Sequence, residues 1–352
     1  MAAETAKTEL IKRRLKSAIR KTLASPLLGR TMAALSAGSR KLAPGAVGNA
    51  AANVDWVQLP RDEGAHDTRL EWWYWSGHLR ADCGRGFGFE LVFFELRLAA
   101  IVFQVTHHAL TDIQERSFQH RVEWGAKAKR SPARGLRLSH DDLWAEGRDG
   151  RDRIHGRVDD YQLDLTLAAR KPPVLQHDRG YLEYDFGGST YYYSRKRMDA
   201  RGTLRAAGRR LAVRGSAWFD HQWGNMGWVF DRSWDWFGIQ LDDEREIMVF
   251  RMRVGGEEKL RGGSCCSATG RVSRLDPAEI EITPRGAWTS PHSGCTYPRQ
   301  WALRIRGQQL MLTPVLEDQE LWRSIPIYWE GAAAVSGAAS GMAYIELNNP
   351  CS

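Results

Sequence analysis

Glu71-Trp72-Trp73-Tyr74-Trp75-Ser76-Gly77-His78-Leu79 is the stretch on which the fold class turns. Consecutive large rings suit a pleated strand, where successive side chains project to opposite faces. That alternation sets Trp73 with Trp75 on one face and Trp72 with Tyr74 on the other. The stretch recurs 162 residues later as Trp234-Asp235-Trp236-Phe237-Gly238-Ile239-Gln240-Leu241. There Trp234 and Trp236 share a face, opposite Asp235 and Phe237. Each copy is followed, after a polar turn, by a further apolar strand, 89–96 in the first and 247–253 in the second. A two-copy repeat that opens on an aromatic strand implies two related β-domains in tandem.

Outward from the repeat, residue 54 onward reads as short aromatic and β-branched segments between Gly, Asp and Asn, at intervals of about 8–14 residues. In one of them Leu163, Leu165 and Leu167 alternate with Asp164 and Thr166, as in a strand with one wet face. No helical period is sustained in this body. The fold class is therefore all-β, and antiparallel strands in this number close into barrels or pack as sandwiches to remove their edges. The expected division is an arm and linker over 1–50, a first β-domain over 51–229 and a second over 230–352.

The chain has 352 residues, 43% hydrophobic and 26% charged, enough apolar mass for two cores. No run reaches the roughly 18 apolar residues of a transmembrane helix. Five cysteines, with Cys265 and Cys266 adjacent, spell neither a disulfide framework nor a zinc spacing. The formal charge of +8 resides in the arm: residues 1–42 hold ten Lys or Arg against Glu4 and Glu9, and the remainder carries 40 of each sign. A nucleic-acid partner is not expected, since the body has no basic excess. Ile11, Leu15, Ala18, Ile19 and Leu23 fall at helical spacing, with basic residues on the other faces. Residues 1–42 thus read as a short basic amphipathic helix for peripheral contact with an anionic membrane, as a solvated arm, or as a targeting segment. The location expected is the cytoplasm or the membrane periphery, with a cleaved export signal as the alternative.

Sites of familiar chemistry are missing from the sequence. His107 and His108 point to opposite faces of a strand, no HExxH spacing occurs, and neither a nucleophile elbow nor a phosphate loop is present. Metal and cofactor are both expected to be absent. The candidate that remains is Asp220, in Ala217-Trp218-Phe219-Asp220-His221-Gln222-Trp223-Gly224. On a strand Trp218 and Asp220 share a face, while Phe219 and His221 share the other. An acid desolvated beside an indole keeps its proton toward neutral pH, and a proton donor in an aromatic pocket is what alkene hydration requires. The alternative is that Asp220 and His221 anchor backbone at a barrel rim. Glu71, His108 and Asp112 form a second constellation, either at the same pocket mouth or as a buried Glu–His or Asp–Arg network. Trp72, Trp73, Tyr74, Tyr191, Tyr193, Trp218, Trp223 and Trp236 are the candidates for a ligand-binding wall, with core filling as the competing role.

The segments 71–79, 86–96, 106–112, 191–198, 215–224, 234–243 and 328–347 occur in the order and form that resemble the AttH and carotenoid 1,2-hydratase relatives. The likeness spans about residues 54–347, and the pairing of EWWYWSGHL with AWFDHQWG is its most specific part. It implies two lipocalin-like antiparallel β-barrels. It also implies a cofactor-free hydro-lyase of the carotenoid 1,2-hydratase type, adding water to an isoprenoid or polyene with Asp220 as proton donor beside Trp218. The chain looks nearer the AttH branch, and its end, Leu347-Asn348-Asn349-Pro350, departs from the family's usual finish. A lipocalin-type carrier of a hydrophobic small molecule and a pericyclase or cyclase of secondary metabolism are the alternatives. The pericyclase would rely on pocket shape more than on Asp220.

Overall fold

The computed structural model describes residues 55–98, 101–128, 135–226 and 232–348. The arm, with its expected helix and membrane contact, lies outside these residues. Among those described the chain is nearly all strand, interrupted by 3-10 turns at Arg61–Glu63 and Pro277–Glu279.

The antiparallel strands build two large sheets. In the first, Leu70–Ala81 sits between Gly86–Leu98 and Arg209–Gly224. Beyond Gly86–Leu98 come Ile101–Asp112 and Ser117–Ala128. Beyond Arg209–Gly224 come Ser189–Ala206, Tyr161–Ala169, Arg151–Val158, Leu143–Arg148 and Leu136–His140. The outermost strands do not pair in the sheet, so the barrel is nearly closed. Side chains bridge the gap, with Thr106 Oγ1 at 2.9 Å from His140 Nδ1 and Arg121 donating to Asp142 at 2.7 Å.

The second sheet repeats the plan. Arg232–Leu241 lies between Glu246–Val254 and Gly341–Asn348. The sheet continues through Glu257–Cys266 to Val272–Leu275 on one side. On the other it runs through Tyr328–Gly337, Gln308–Pro314 and Gln300–Ile305 to Ile280–Arg285. The two aromatic strands occupy equivalent places, each between the next strand in sequence and the last long strand of its own barrel.

Each barrel is packed solid. Trp73, Trp75, Phe87, Phe89, Leu91 and Phe93 fill the first, and Phe237, Ile239, Val249, Trp301, Leu312 and Ile345 the second. A third cluster lies between the barrels, where Tyr74, Val92, Tyr192 and Trp218 meet Trp236, Met248, Ala332 and Tyr344. The central strands are therefore covered on both faces. Strands buried in this way read as continuous apolar runs, which is why Trp72–Trp75 shows rings at every position rather than at every second one.

Close approach of the barrels depends on small residues. A Cβ at Gly88 would come within 2.8 Å of the Ala332 Cβ, and one at Gly238 within 2.4 Å of the Trp236 ring. Gly238 thus lets the Trp236 indole lie across its own strand. Polar ties complete the junction. The buried Glu246 carboxylate accepts from Lys171 at 2.8 Å and Arg197 at 2.5 Å, and Gln240 donates to the backbone oxygens of Lys196 and Ala217 at 2.7 and 3.0 Å.

Candidate active site

The inter-barrel cluster opens into a cavity of about 260 Å³. Trp72, Phe94, Phe103 and Val105 of the first barrel and Trp234, Trp236, Phe250 and Met252 of the second make its walls largely apolar. Strand parity explains the set. Trp72, Tyr74, Trp218, Asp220, Gln222 and Tyr192 all project from the outer face of the first barrel, and Trp234 and Trp236 from the outer face of the second.

Asp220 is 4% exposed and lines this cavity. The Tyr192 hydroxyl donates to its Oδ2 at 2.6 Å and the Trp218 indole N–H to its Oδ1 at 2.8 Å. Burial pushes the Asp220 carboxyl up to about 6, against the partial pull of the Ser194, Tyr192 and Trp218 donors and of the Lys196 charge. Each carboxyl oxygen keeps a further lone-pair position, so the acid can carry its proton toward the cavity while both hydrogen bonds persist.

The second barrel contributes acids of its own. Glu346 Oε1 accepts the Trp234 indole N–H at 2.9 Å, and burial, with the nearby Asp220 charge, pushes Glu346 up to about 7. Glu330 also lines the cavity, and Glu90 lies behind it. Burial, and then the charges of their carboxyl neighbours, drive both well above the usual carboxylate range. His107 lines the wall with Nδ1 against the Tyr328 hydroxyl, and burial lowers that imidazole to about 3.

The AttH-like family profile matches residues 50–350. This chain belongs to the AttH-like family. A crystal structure of a Nitrosomonas europaea protein assigned to AttH superposes with a TM-score of 0.76 at 26% identity, covering 84% of this chain and 97% of that one. Kievitone hydratase from Nectria haematococca superposes at 0.70 and 18% identity, over 85% of this chain and 94% of its own. No protein of curated function matches in sequence.

In this AttH-like chain the sequence candidates divide by face. Asp220, Trp72, Tyr74 and Trp236 line the cavity, and Trp218 holds Asp220. Glu71, His221, Trp73, Tyr191, Tyr193 and Trp223 lie on the opposite face, within or against the first barrel's core. The structure does not bring them to the cavity. Glu71 accepts the His66 backbone N–H at 2.9 Å on Oε2, bonds His66 Nδ1 at 2.8 Å and His221 Nε2 at 2.9 Å through Oε1, and pairs with Arg97 at 2.8 Å. Burial raises Glu71, but the bonds from His221 and His66 outweigh it and hold the carboxyl down at about 2. Burial lowers His221 to about 4, so it donates as a neutral imidazole, stacked on Trp73 at 4.7 Å.

Among the described residues His66, Glu71 and His221 also bring three ligand-type atoms within 4.8 Å of one another. Glu71 Oε1 is engaged by both imidazoles and Oε2 by Arg97, the arrangement of a hydrogen-bonded network. His108 is turned into the barrel with Nδ1 at 2.7 Å from the Glu90 carbonyl, and Asp112 accepts from Arg85 at 2.5 Å. Neither reaches Asp220: Asp112 with Arg85 is the Asp–Arg pair of the second sequence reading, whereas His108 bonds a backbone carbonyl rather than a carboxylate.

Tyr192, Glu330, Glu346, His107, Phe250 and Trp234 also line the cavity, as do Arg69 and Arg232, and none of them is among the sequence candidates. Parity was the available signal for Tyr192, which alternates with Tyr191 and Tyr193 and so shares the face of Ser194. Ser194 lies opposite Asp220 in the strand register. The glutamates carried no such signal, because only the docking of the barrels brings them to Asp220.

Proposed function

We propose that this protein is a cofactor-free hydro-lyase or closely related acid-catalysed lyase that protonates a carbon–carbon double bond of an apolar, isoprenoid-type substrate. The observation that carries the reading is Asp220. It is a buried carboxyl in an aromatic cavity, held by the Tyr192 and Trp218 donors and pushed up to about 6, toward neutral pH. The steps balance without a redox partner. Asp220 gives its proton to one alkene carbon, and the neighbouring carbon becomes cationic. The faces of Trp72, Trp234 and Trp236 stabilise that cation. Water adds to it and loses a proton to the opposite carboxylate, Glu346, so that the product is the alcohol.

The volume bears on substrate size. At about 260 Å³ the cavity sits at the lower edge of small-molecule pockets, which run from about 300 to 1,000 Å³. It suits a short isoprenoid, or the terminal segment of a long polyene such as a carotenoid, rather than a whole long chain. Kievitone hydratase shows that a hydratase is built on the same two-barrel fold; the case for this chain rests on its own acids and rings.

The test is incubation with α-farnesene and with a linear carotenoid in H₂¹⁸O, followed by mass spectrometry of extracted products. A labelled tertiary alcohol that disappears with Asp220→Asn supports the reading. Binding without turnover points to a carrier. An unlabelled isomer that still forms with Asp220→Asn points to a cyclase that works by shape.

A further inference from the structure

Asp220 and Glu346 leave a second group of polar atoms in the cavity without a task. Tyr74 of the first barrel and Glu330 of the second both line it, at 6% and 1% exposure. The Tyr74 hydroxyl and Glu330 Oε1 make no hydrogen bond of good geometry; the polar groups nearest them include each other and, for Glu330, the Tyr328 hydroxyl. Behind them Glu90 is fully buried, its carboxyl facing Glu330 and Tyr328 without a hydrogen bond of good geometry. An orphaned buried donor or acceptor lowers a folding equilibrium by about tenfold or more, and native interiors pair the large majority of such groups. Orphans from both barrels converging on one cavity wall are the mark of a surface built to hydrogen-bond something that enters.

The chemistry of that guest follows from the charges. The charges that act on Glu90 and Glu330 are those of other carboxylates, Glu346 on both and Glu90 on Glu330. The cavity's arginines, Arg69 and Arg232, stand five residues before Tyr74 and four before Trp236 along the chain, so a carboxylate or phosphate placed beside Tyr74 and Glu330 would face the acids Glu90 and Glu346 instead. A phenol and a protonated carboxyl instead offer two O–H donors together with acceptor lone pairs, which matches a group that accepts and donates at once. A pure hydrocarbon would leave both groups unpaired, and a site built for a hydroxyl discriminates strongly against the analogue that lacks it.

We propose that Tyr74 and Glu330 form a polar subsite in the otherwise apolar cavity, and that it receives a neutral oxygen function, a hydroxyl, phenol or ketone, carried by the ligand. The natural ligand is then an oxygenated isoprenoid or a similar amphipathic small molecule rather than a hydrocarbon polyene. From the hydratase reading this takes only the cavity as the place where the ligand binds.

The experiment compares two probes of equal chain length, farnesol and α-farnesene, titrated against the full chain by intrinsic tryptophan fluorescence, with native mass spectrometry to confirm one-to-one binding. Farnesol is expected to bind at least about tenfold tighter. Tyr74→Phe and Glu330→Leu, singly and together, are expected to bring that ratio toward one. Both variants should keep or raise the Tm of the unliganded protein, because each removes an orphaned polar group. Equal affinities in the unmodified chain, a preference that survives the double substitution, failure of both probes to bind, or a marked loss of Tm in Tyr74→Phe would each overturn the proposal. Hydration of α-farnesene with no preference for farnesol would leave the hydratase reading standing and remove the subsite alone.

Discussion

Glu71 and Asp220 lie on adjacent paired strands, within a few residues of each other in register, and point to opposite faces of one sheet. They are equally buried, and their environments have driven them apart. Inside the first barrel Glu71 has two imidazoles, a backbone N–H and Arg97, and it is held at about 2. Outside it Asp220 has a phenol, an indole and an apolar cavity, and it is pushed up to about 6. Burial penalises both charges alike; what differs is whether hydrogen bonds from cationic or strongly polar groups repay it. A barrel interior can spend its polar contacts on a fixed network, whereas a face that must admit a ligand leaves its acid with neutral donors.

The largest effect that would break this contrast is on turnover. Asp220→Asn should cut product formation by about 10²–10⁴-fold, the usual worth of a positioned general acid. It should not lower stability at neutral pH. A carboxyl whose folded pKa lies above its unfolded value loses stability as pH rises from about 4 through about 6, and Asn removes that loss. Thermal unfolding at pH 5 and pH 8 checks the sign, and a large drop in Tm at pH 8 would make Asp220 a structural anchor.

Glu71→Gln should do the converse. Breaking a buried ion pair costs about 3–5 kcal/mol, read from urea unfolding at pH 7, with α-farnesene affinity at the cavity little changed. Glu71 is depressed, so its stabilisation is present above the unfolded value of 4.5 and is lost as pH falls toward about 2. The difference between Glu71→Gln and the unmodified protein should therefore shrink over that window.

The pH dependence of turnover sharpens the contrast further. The reactive form carries its proton on Asp220 with Glu346 ionised. Because Glu346 is pushed higher than Asp220, this is the minor arrangement of the singly protonated pair, and its population peaks with that pair between about 6 and about 7. The rate should fall about tenfold per pH unit on either side of that range. A flat profile across pH 5–9 would remove both acids from the mechanism. The smallest effect is expected at the wall: Trp236→Phe keeps the ring and should weaken ligand binding about threefold to tenfold, as for the loss of part of an aromatic contact. The same change at Trp73, which is 0% exposed in the core, should instead register in Tm.

Much of this was legible in the sequence. Alternation correctly separated Trp72 and Tyr74 from Trp73 and Trp75, Trp218 and Asp220 from Phe219 and His221, and Tyr192 from its two neighbours. The repeat placed Arg232–Leu241 as the counterpart of Leu70–Ala81, and the structure gives both strands the same position in their barrels. Two all-β domains follow from those patterns, the family resemblance implies barrels rather than sandwiches, and two nearly closed barrels are what the described residues form. Glu330 and Glu346, by contrast, sit in the final strands more than a hundred residues from Asp220. Nothing local marks them as its neighbours.

The sequence by itself determined the strands, their two faces and the duplication, because side-chain direction alternates with every residue and is set by the backbone. Only the tertiary structure decided which face would become the site. A strand with rings on both sides does not say which side meets a packed barrel interior and which meets another barrel. The docking of the second barrel settles it, enclosing Asp220 with the glutamates while leaving Glu71 among its imidazoles.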